Sequence, residues 1–224
     1  MKKAFYIGFL YATTLMVSCQ IAGDRKKAVQ TGETSAVASM SGKEELSPSG
    51  YVSWVKNPES GLFRTKKIDN MIFSVLCQPS DYLICQEERS DIISGDTYKE
   101  KLSGYSDLNY FDLKIESEGG QGELLKQNLN DGAEYDTRVK YFSFGIQKDI
   151  QMVLGGDTIP CAMAHFERAF DATPYLSIQI AFPKQKETTS DEVIIFHDRI
   201  FGKGILKFVF DKNILSHLPK LKIS

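Results

Sequence analysis

Apolar and polar residues alternate with a period of two along several stretches of the chain, which is the pattern of a strand with one buried face. In PYLSIQIAF, residues 174–182, the apolar positions Leu176, Ile178 and Ile180 alternate with Ser177 and Gln179. The same pattern recurs in NYFDLKIES, residues 109–117. Further strands are predicted at residues 51–55, 71–77, 139–146, 159–168, 192–198 and 205–210.

Helical signals are fewer and shorter. Helices or helical turns are predicted at residues 82–89, 97–102, 123–129 and 211–218, each after a capping or loop sequence. Gly155-Gly156-Asp157 carries the turn chemistry of an antiparallel hairpin. Many strands, few helices and no regular βαβ alternation predict an α+β fold with a mainly antiparallel sheet and a few short helices.

The first residues carry the pattern of an export signal. Lys2 and Lys3 precede an apolar run to Val17, and Ser18-Cys19 places a small residue before a thiol. We therefore expect residues 1–18 to be a lipoprotein signal peptide and Cys19 to be lipidated. The alternatives are an ordinary secretory signal with an incidental cysteine, or a retained helix. The apolar run is short for a spanning helix, which needs about 20 residues.

Composition separates a tether from a folded body. The predicted tether, residues 19–50, is rich in small and polar residues and has no aromatic residue, so it cannot bury enough apolar surface to fold. Residues 51–224 are predicted to form a single globular domain. The formal charge of −2 becomes −4 without Lys2 and Lys3. A mildly acidic chain argues against a nucleic-acid partner.

The lipid-anchor hypothesis predicts a location. Acyl chains on Cys19 would hold the protein on a lipid bilayer, because each buried methylene contributes about 0.8 kcal/mol. Gln20, rather than aspartate, follows the cysteine, and by resemblance to Gram-negative lipoproteins this favours the bacterial outer membrane. The segment after Cys19 lacks the acidic run that marks some surface lipoproteins. We therefore expect the body to face the periplasm.

Three further cysteines, Cys77, Cys85 and Cys161, would lie in an oxidising compartment. Any pair of them could form one disulfide, and the seven-residue spacer makes Cys77 with Cys85 one such candidate. The alternative is that all three are buried free thiols.

One stretch concentrates groups that could do chemistry. In IPCAMAHFER, residues 159–168, a continuous strand would place Cys161, His165 and Glu167 on one face, with Arg168 beside them on the other. Such a face could serve an enzyme, or hold a zinc ion with His197 as a further ligand. The ligand spacing of a metal site and the motifs of known nucleophiles and phosphate loops are missing, so no metal or cofactor is predicted.

Three segments carry a resemblance. WVKNPESGL, PCAMAHFER and the closing FVFDKNILSHLPKLKIS resemble stretches in an uncharacterised group of outer-membrane lipoproteins from Bacteroidota. The resemblance implies an outer-membrane lipoprotein and brings no activity with it.

Three functions remain open. The first is a non-catalytic structural or interaction role, in which the body docks to an envelope protein partner through a sheet edge. The second is a binding module for a small ligand or glycan, for which Trp54 could stack on a sugar. The third is an envelope enzyme that uses the face of Cys161, His165 and Glu167.

Overall fold

The computed structural model describes residues 44–120, 122–185 and 190–224. The signal peptide, Cys19 and most of the predicted tether lie outside the described residues. The described residues confirm the α+β fold with mainly antiparallel sheets. Short strands β1 (Glu45–Leu46) and β11 (Lys220–Leu221) pair in parallel, and all other pairs are antiparallel.

Two larger sheets form the body. The five-stranded sheet has the order β2 (Phe63–Ile68), β3 (Met71–Gln78), β4 (Leu108–Ser117), β8 (Tyr175–Pro183), β7 (Met163–Glu167). The four-stranded sheet has the order β10 (Gly204–Phe210), β9 (Glu192–Asp198), β5 (Ile150–Leu154), β6 (Asp157–Pro160).

The two sheets pack face to face through the apolar positions that alternate along their strands. Phe73 of β3 contacts Phe196 of β9, with ring centroids 6.3 Å apart, and Phe111 of β4 lies 5.4 Å from Phe210 of β10. All four rings are buried. Aromatic pairs at these separations contribute about 0.5–1.5 kcal/mol beyond their buried area. The apolar residues that alternate in the sequence therefore form the core between the two sheets.

The hairpin predicted at Gly155-Gly156-Asp157 is confirmed. Leu154 of β5 pairs with Asp157 of β6, which leaves Gly155 and Gly156 as the two-residue loop. Both glycines have positive φ, 62° and 96°. This is the conformation that lets a two-residue turn follow the twist of its strands, and only glycine adopts it readily at both positions.

Five α-helices occur in the described residues: α1 (Pro48–Lys56), α2 (Ser80–Glu88), α3 (Gly95–Tyr105), α4 (Gly132–Lys140) and α5 (Lys212–Ser216). Helices α2, α3 and α5 confirm the predictions at residues 82–89, 97–102 and 211–218. Ser94 rather than Asp96 caps α3. Tyr82 of α2 lies near Asp112 on the outward side of β4. Helix α2 therefore lies near this outward side of β4.

The strand predicted at residues 51–55 is wrong, because this segment lies within α1. The Ser47 hydroxyl accepts a hydrogen bond from the backbone N–H of Gly50, and Pro48 occupies the first turn, where its missing N–H does no harm. Tyr51, Trp54 and Val55 are buried at the spacing of one helix face. Because α1 and β1 begin before residue 51, the folded body includes residues assigned to the tether.

The strand predicted at residues 139–146 is also wrong. Helix α4 continues into a π-helical turn, Tyr141–Gly145, and a 3₁₀ turn, Ile146–Asp149. The buried residues Arg138, Phe142 and Ile146 recur every fourth position, which is helical spacing. The helix predicted at residues 123–129 is only the 3₁₀ turn Leu124–Lys126.

In the part of the chain that the structure describes, every helix is too short or too polar to cross a membrane.

Candidate functional site

The predicted strand at residues 159–168 is interrupted, and this separates the candidate catalytic residues. Strand β6 ends at Pro160 in one sheet, and β7 begins at Met163 in the other. Between them, Ala162 donates its N–H to the carbonyl of Ala181 of β8. Since the chain changes sheets here, Cys161 does not continue the face that carries His165.

The Cys161 thiol is buried and forms hydrogen bonds with two backbone carbonyls. Its Sγ lies 2.9 Å from the carbonyl oxygen of Met163 and 3.6 Å from that of Ala181. Burial raises the pKa of the thiol, although both hydrogen bonds act in the opposite direction. A neutral, buried thiol is a poor nucleophile. Cys161 therefore has the environment of a core residue.

His165 and Glu167 lie on the exposed side of β7, while Phe166 between them points inward, 5.7 Å from the ring of Phe142. Arg168 lies over the ring of Phe170, 4.3 Å from its centroid. It also donates a hydrogen bond of 3.1 Å to the hydroxyl of Tyr135. The expectation that Cys161, His165 and Glu167 share one face is therefore wrong.

The proposed zinc set is not assembled either. His197 lies on β9 of the other sheet, not beside His165 of β7. Among the described residues, no three histidine, cysteine or acidic side chains lie close enough together to hold a metal ion.

The three cysteines of the described part are free and buried, so the candidate bridge between Cys77 and Cys85 is not formed. Desolvation raises the pKa of the Cys77 thiol, and the pKa of the Cys85 thiol rises to about 11, mainly through burial. The structure agrees with the alternative prediction that all three are buried free thiols.

The outer face of the four-stranded sheet carries a group of neighbouring aliphatic residues, two of which are exposed. We call its five outward aliphatic residues the valine–isoleucine face: Val153, Val193, Ile195, Ile205 and Val209. Val153 of β5, Val193 of β9 and Val209 of β10 stand directly opposite one another across neighbouring strands. Ile205 is 62% exposed and Val209 46% exposed. Contiguous exposed apolar surface of this kind marks an interaction site more often than a single exposed residue does.

Polar residues lie within and around this face, and one aromatic ring borders it. His197 of β9 stands directly opposite Ile205. Lys207 of β10 lies opposite Ile195 and places a cation among the aliphatic side chains. On the β6 side, a depression of about 480 Å³ is lined by Gln151, Thr158 and Phe144, among other residues. Phe144 lies on the π-helical turn and is 81% exposed. A π-helical turn often occurs at a functional position, because the extra residue in the turn displaces a side chain from the helical pattern.

A second, smaller site lies where strands of both sheets end. Gln78 at the end of β3, Asn109 of β4 and Glu192 at the start of β9 line a pocket of about 170 Å³. Leu215 and Leu218, in and after α5, add apolar walls. We call this site the Gln78–Glu192 pocket.

Two polar residues of the pocket, Glu192 and Gln78, are buried. Glu192 is 4% exposed and accepts a hydrogen bond of 3.3 Å from the side-chain amide of Asn109. Desolvation raises the pKa of Glu192 to about 7, while the nearby cation of Lys184 acts in the opposite direction. Gln78 is 8% exposed, and its Oε1 has no hydrogen-bond partner among the described residues.

Other buried charges have evident structural partners. Asp198 accepts hydrogen bonds from the backbone N–H groups of Ile200, Phe201 and Lys203, which hold the loop after β9. Arg138 donates to backbone carbonyls before α4 and pairs with Glu134. Gln78 and Glu192 differ from these groups because their hydrogen-bonding capacity is not used up within the fold.

Comparison of the chain with protein-family models, with curated proteins and with solved structures finds no match.

Proposed function

We propose that this protein is a bacterial lipoprotein, anchored in the outer membrane through Cys19 and facing the periplasm, and that its body is a non-catalytic binding module for another envelope protein. The export pattern at residues 1–19 supports the anchor. The observation that carries the binding role is the valine–isoleucine face, in which Ile205 and Val209 are exposed to solvent.

The geometry favours the sheet face over a sheet edge as the docking surface. The edge strand β6 has four residues and ends in Pro160, and short edges with proline resist pairing with another chain. At the opposite edge, Arg64 of β2 donates a hydrogen bond of 2.6 Å to the carbonyl of Val209 in β10. Neither Pro160 nor the hydrogen bond of Arg64 blocks the valine–isoleucine face.

The side chains of the face favour a protein partner over a glycan. β-Branched side chains are stiff, so ordering them on binding loses little rotamer entropy. Lys207 would find a carboxylate in a matching protein surface. Trp54, the residue expected to stack on a sugar, is buried against Tyr51 with a centroid distance of 6.1 Å. It is therefore not available as a stacking platform.

The case against catalysis rests on the separated residues. Cys161 is buried and bonded to backbone carbonyls, whereas His165 and Glu167 are exposed on another strand. Nucleophilic catalysis needs a base within hydrogen-bond reach of the nucleophile. This arrangement supports a binding protein rather than an enzyme.

Site-specific photo-crosslinking in growing cells tests the docking surface. A photoreactive residue at position 209 of the full-length protein should give one discrete adduct with another envelope protein. The same residue at position 92 is the control, since Ile92 is exposed and lies outside the face. The variants Ile205→Lys and Val209→Lys, with the photoreactive residue moved to position 193, should abolish the adduct without unfolding the body.

Equal adducts from positions 209 and 92 would contradict the proposal. An adduct of twice the protein's own mass would show a second copy as the occupant and would overturn the idea of a different partner. The anchor is tested separately. The variant Cys19→Ala should leave the membrane fraction, and its retention there would refute lipidation.

A further inference from the structure

The Gln78–Glu192 pocket contains a buried acceptor that the fold does not satisfy. The Oε1 atom of Gln78 has no hydrogen-bond donor among the described residues. A buried polar group without a partner destabilises a protein by about 1–3 kcal/mol, so such groups are rare unless they meet a water or a ligand. Gln78 lies in the wall of a pocket, and because its Oε1 has almost no solvent-exposed area, the amide must turn into the pocket to meet a donor there.

Glu192 supplies a second acceptor to the same pocket. Its carboxylate accepts only the hydrogen bond from Asn109 among the described residues, although a carboxylate offers about four acceptor positions. Two acceptors in one small pocket call for a group with several donors. A primary ammonium has three N–H donors and a charge opposite to that of Glu192, so it matches both acceptors.

Lys184 restricts the rest of the ligand. This residue lines the same pocket, and its side chain is close enough to influence Glu192 electrostatically. A ligand with only a positive charge would be repelled by Lys184, whereas an anionic group would be attracted to it. The volume of about 170 Å³ is well above the share of about 30 Å³ that one water molecule takes in the liquid, so the pocket has room for a small molecule such as glycine.

We infer that the Gln78–Glu192 pocket binds a small zwitterion of the amino-acid type. Its ammonium group donates to Gln78 Oε1 and to the carboxylate of Glu192, and its carboxylate faces Lys184. Leu215 and Leu218 form the apolar wall beside the short side chain. This binding is independent of the docking proposed for the valine–isoleucine face.

The affinity should depend on pH through Glu192. The groups that face this carboxyl from the surrounding elements are Lys184 after β8, Cys77 of β3 and Tyr110 of β4, while α5 and the neighbouring strands contribute apolar side chains. An ammonium ligand prefers the ionised carboxylate. With a pKa of about 7 for Glu192, glycine should bind about tenfold more weakly at about pH 6 than at about pH 8.

Saturation-transfer NMR on the full-length protein in detergent micelles tests the inference, with glycine as the probe. Ethanolamine lacks the carboxylate and acetate lacks the ammonium, so both should bind at least about tenfold more weakly than glycine. The absence of saturable glycine binding at about pH 8 would overturn the inference. Binding of ethanolamine or acetate as tight as that of glycine would overturn the zwitterion assignment.

Variants separate the contributions of the three polar residues. Gln78→Leu should weaken glycine binding by at least about tenfold while the protein stays folded, because the change removes an unsatisfied acceptor. Glu192→Gln should weaken binding similarly and remove its pH dependence. Lys184→Ala should weaken binding of glycine but not of ethanolamine.

A matched substitution controls for general effects of replacing glutamine. Gln86→Leu, at an exposed position of α2, should leave glycine binding unchanged. Ile205→Lys and Val209→Lys should also bind glycine normally, even where they abolish crosslinking. Undiminished binding in Gln78→Leu or Glu192→Gln would refute the proposed contacts.

Discussion

Glu192 makes the stability of the folded body fall as pH rises. Burial raises the pKa of this carboxyl from its ordinary value of 4.5 to about 7. Between these values the folded state holds a proton that the unfolded state has released. Stabilisation by this proton is fully present below pH 4.5 and is lost as pH rises through about 7.

The magnitude follows from the difference between the two pKa values, about 2.5 pH units at about 1.36 kcal/mol each. The full effect is therefore about 3 kcal/mol, and most of it falls between about pH 5 and about pH 8. Asp81 and Asp112 also have raised pKa values, caused mainly by desolvation, and act with the same sign. A variant that changes Glu192 alone is needed to isolate its contribution.

The variant Glu192→Gln supplies that comparison, because it has nearly the same shape and cannot titrate. Urea unfolding of both proteins at about pH 5 and about pH 8, followed by the fluorescence of the buried Trp54, gives their free energies of unfolding. The wild-type protein should lose about 2–3 kcal/mol more than the variant over this range. Equal losses in the two proteins would show that Glu192 is not protonated in the folded state near neutral pH.

Two further predictions concern the core and the thiols. Phe142→Ala should lower the free energy of unfolding by about 3–5 kcal/mol, because Phe142 is fully buried against Phe166. The control Phe144→Ala, at an exposed position two residues later, should change the free energy of unfolding by less than about 0.5 kcal/mol. Similar urea midpoints for the two variants would contradict this assignment. In a Cys19→Ala background, a thiol reagent should modify the buried Cys77, Cys85 and Cys161 only after the protein unfolds. Rapid labelling of the native protein would disprove their burial.

The strands with a strict period of two could be predicted from sequence because each has one face in the core. In β4 the buried residues Phe111, Leu113 and Ile115 alternate with polar ones, and β8 repeats the pattern. The sequence predicts strands β9 and β10 as well, and their consecutive apolar residues, such as Ile194-Ile195-Phe196, add a second indication. Apolar residues on both sides of a strand mean either two buried faces or one exposed apolar face.

The predictions are wrong where another feature of the chain outweighs the local pattern. The aromatic and β-branched residues at 51–55 favour a strand, but the cap at Ser47 and Pro48 begins a helix just before them. At residues 159–168, Pro160 ends β6 and the chain passes to the other sheet. Period-two reasoning assumes an unbroken strand. Because β6 ends at Pro160, the period-two pattern does not predict the orientation of Cys161.

The Gln78–Glu192 pocket could not be predicted from sequence, for a physical reason. Its polar groups lie at the ends of strands, where alternation no longer distinguishes inward from outward positions: Gln78, Asn109 and Glu192. They come from two different sheets, so only the packing of one sheet on the other brings them together. The same packing removes Glu192 from water, and this burial raises its pKa. The pocket and the pH dependence of folding therefore have one origin, and Glu192→Gln should alter both.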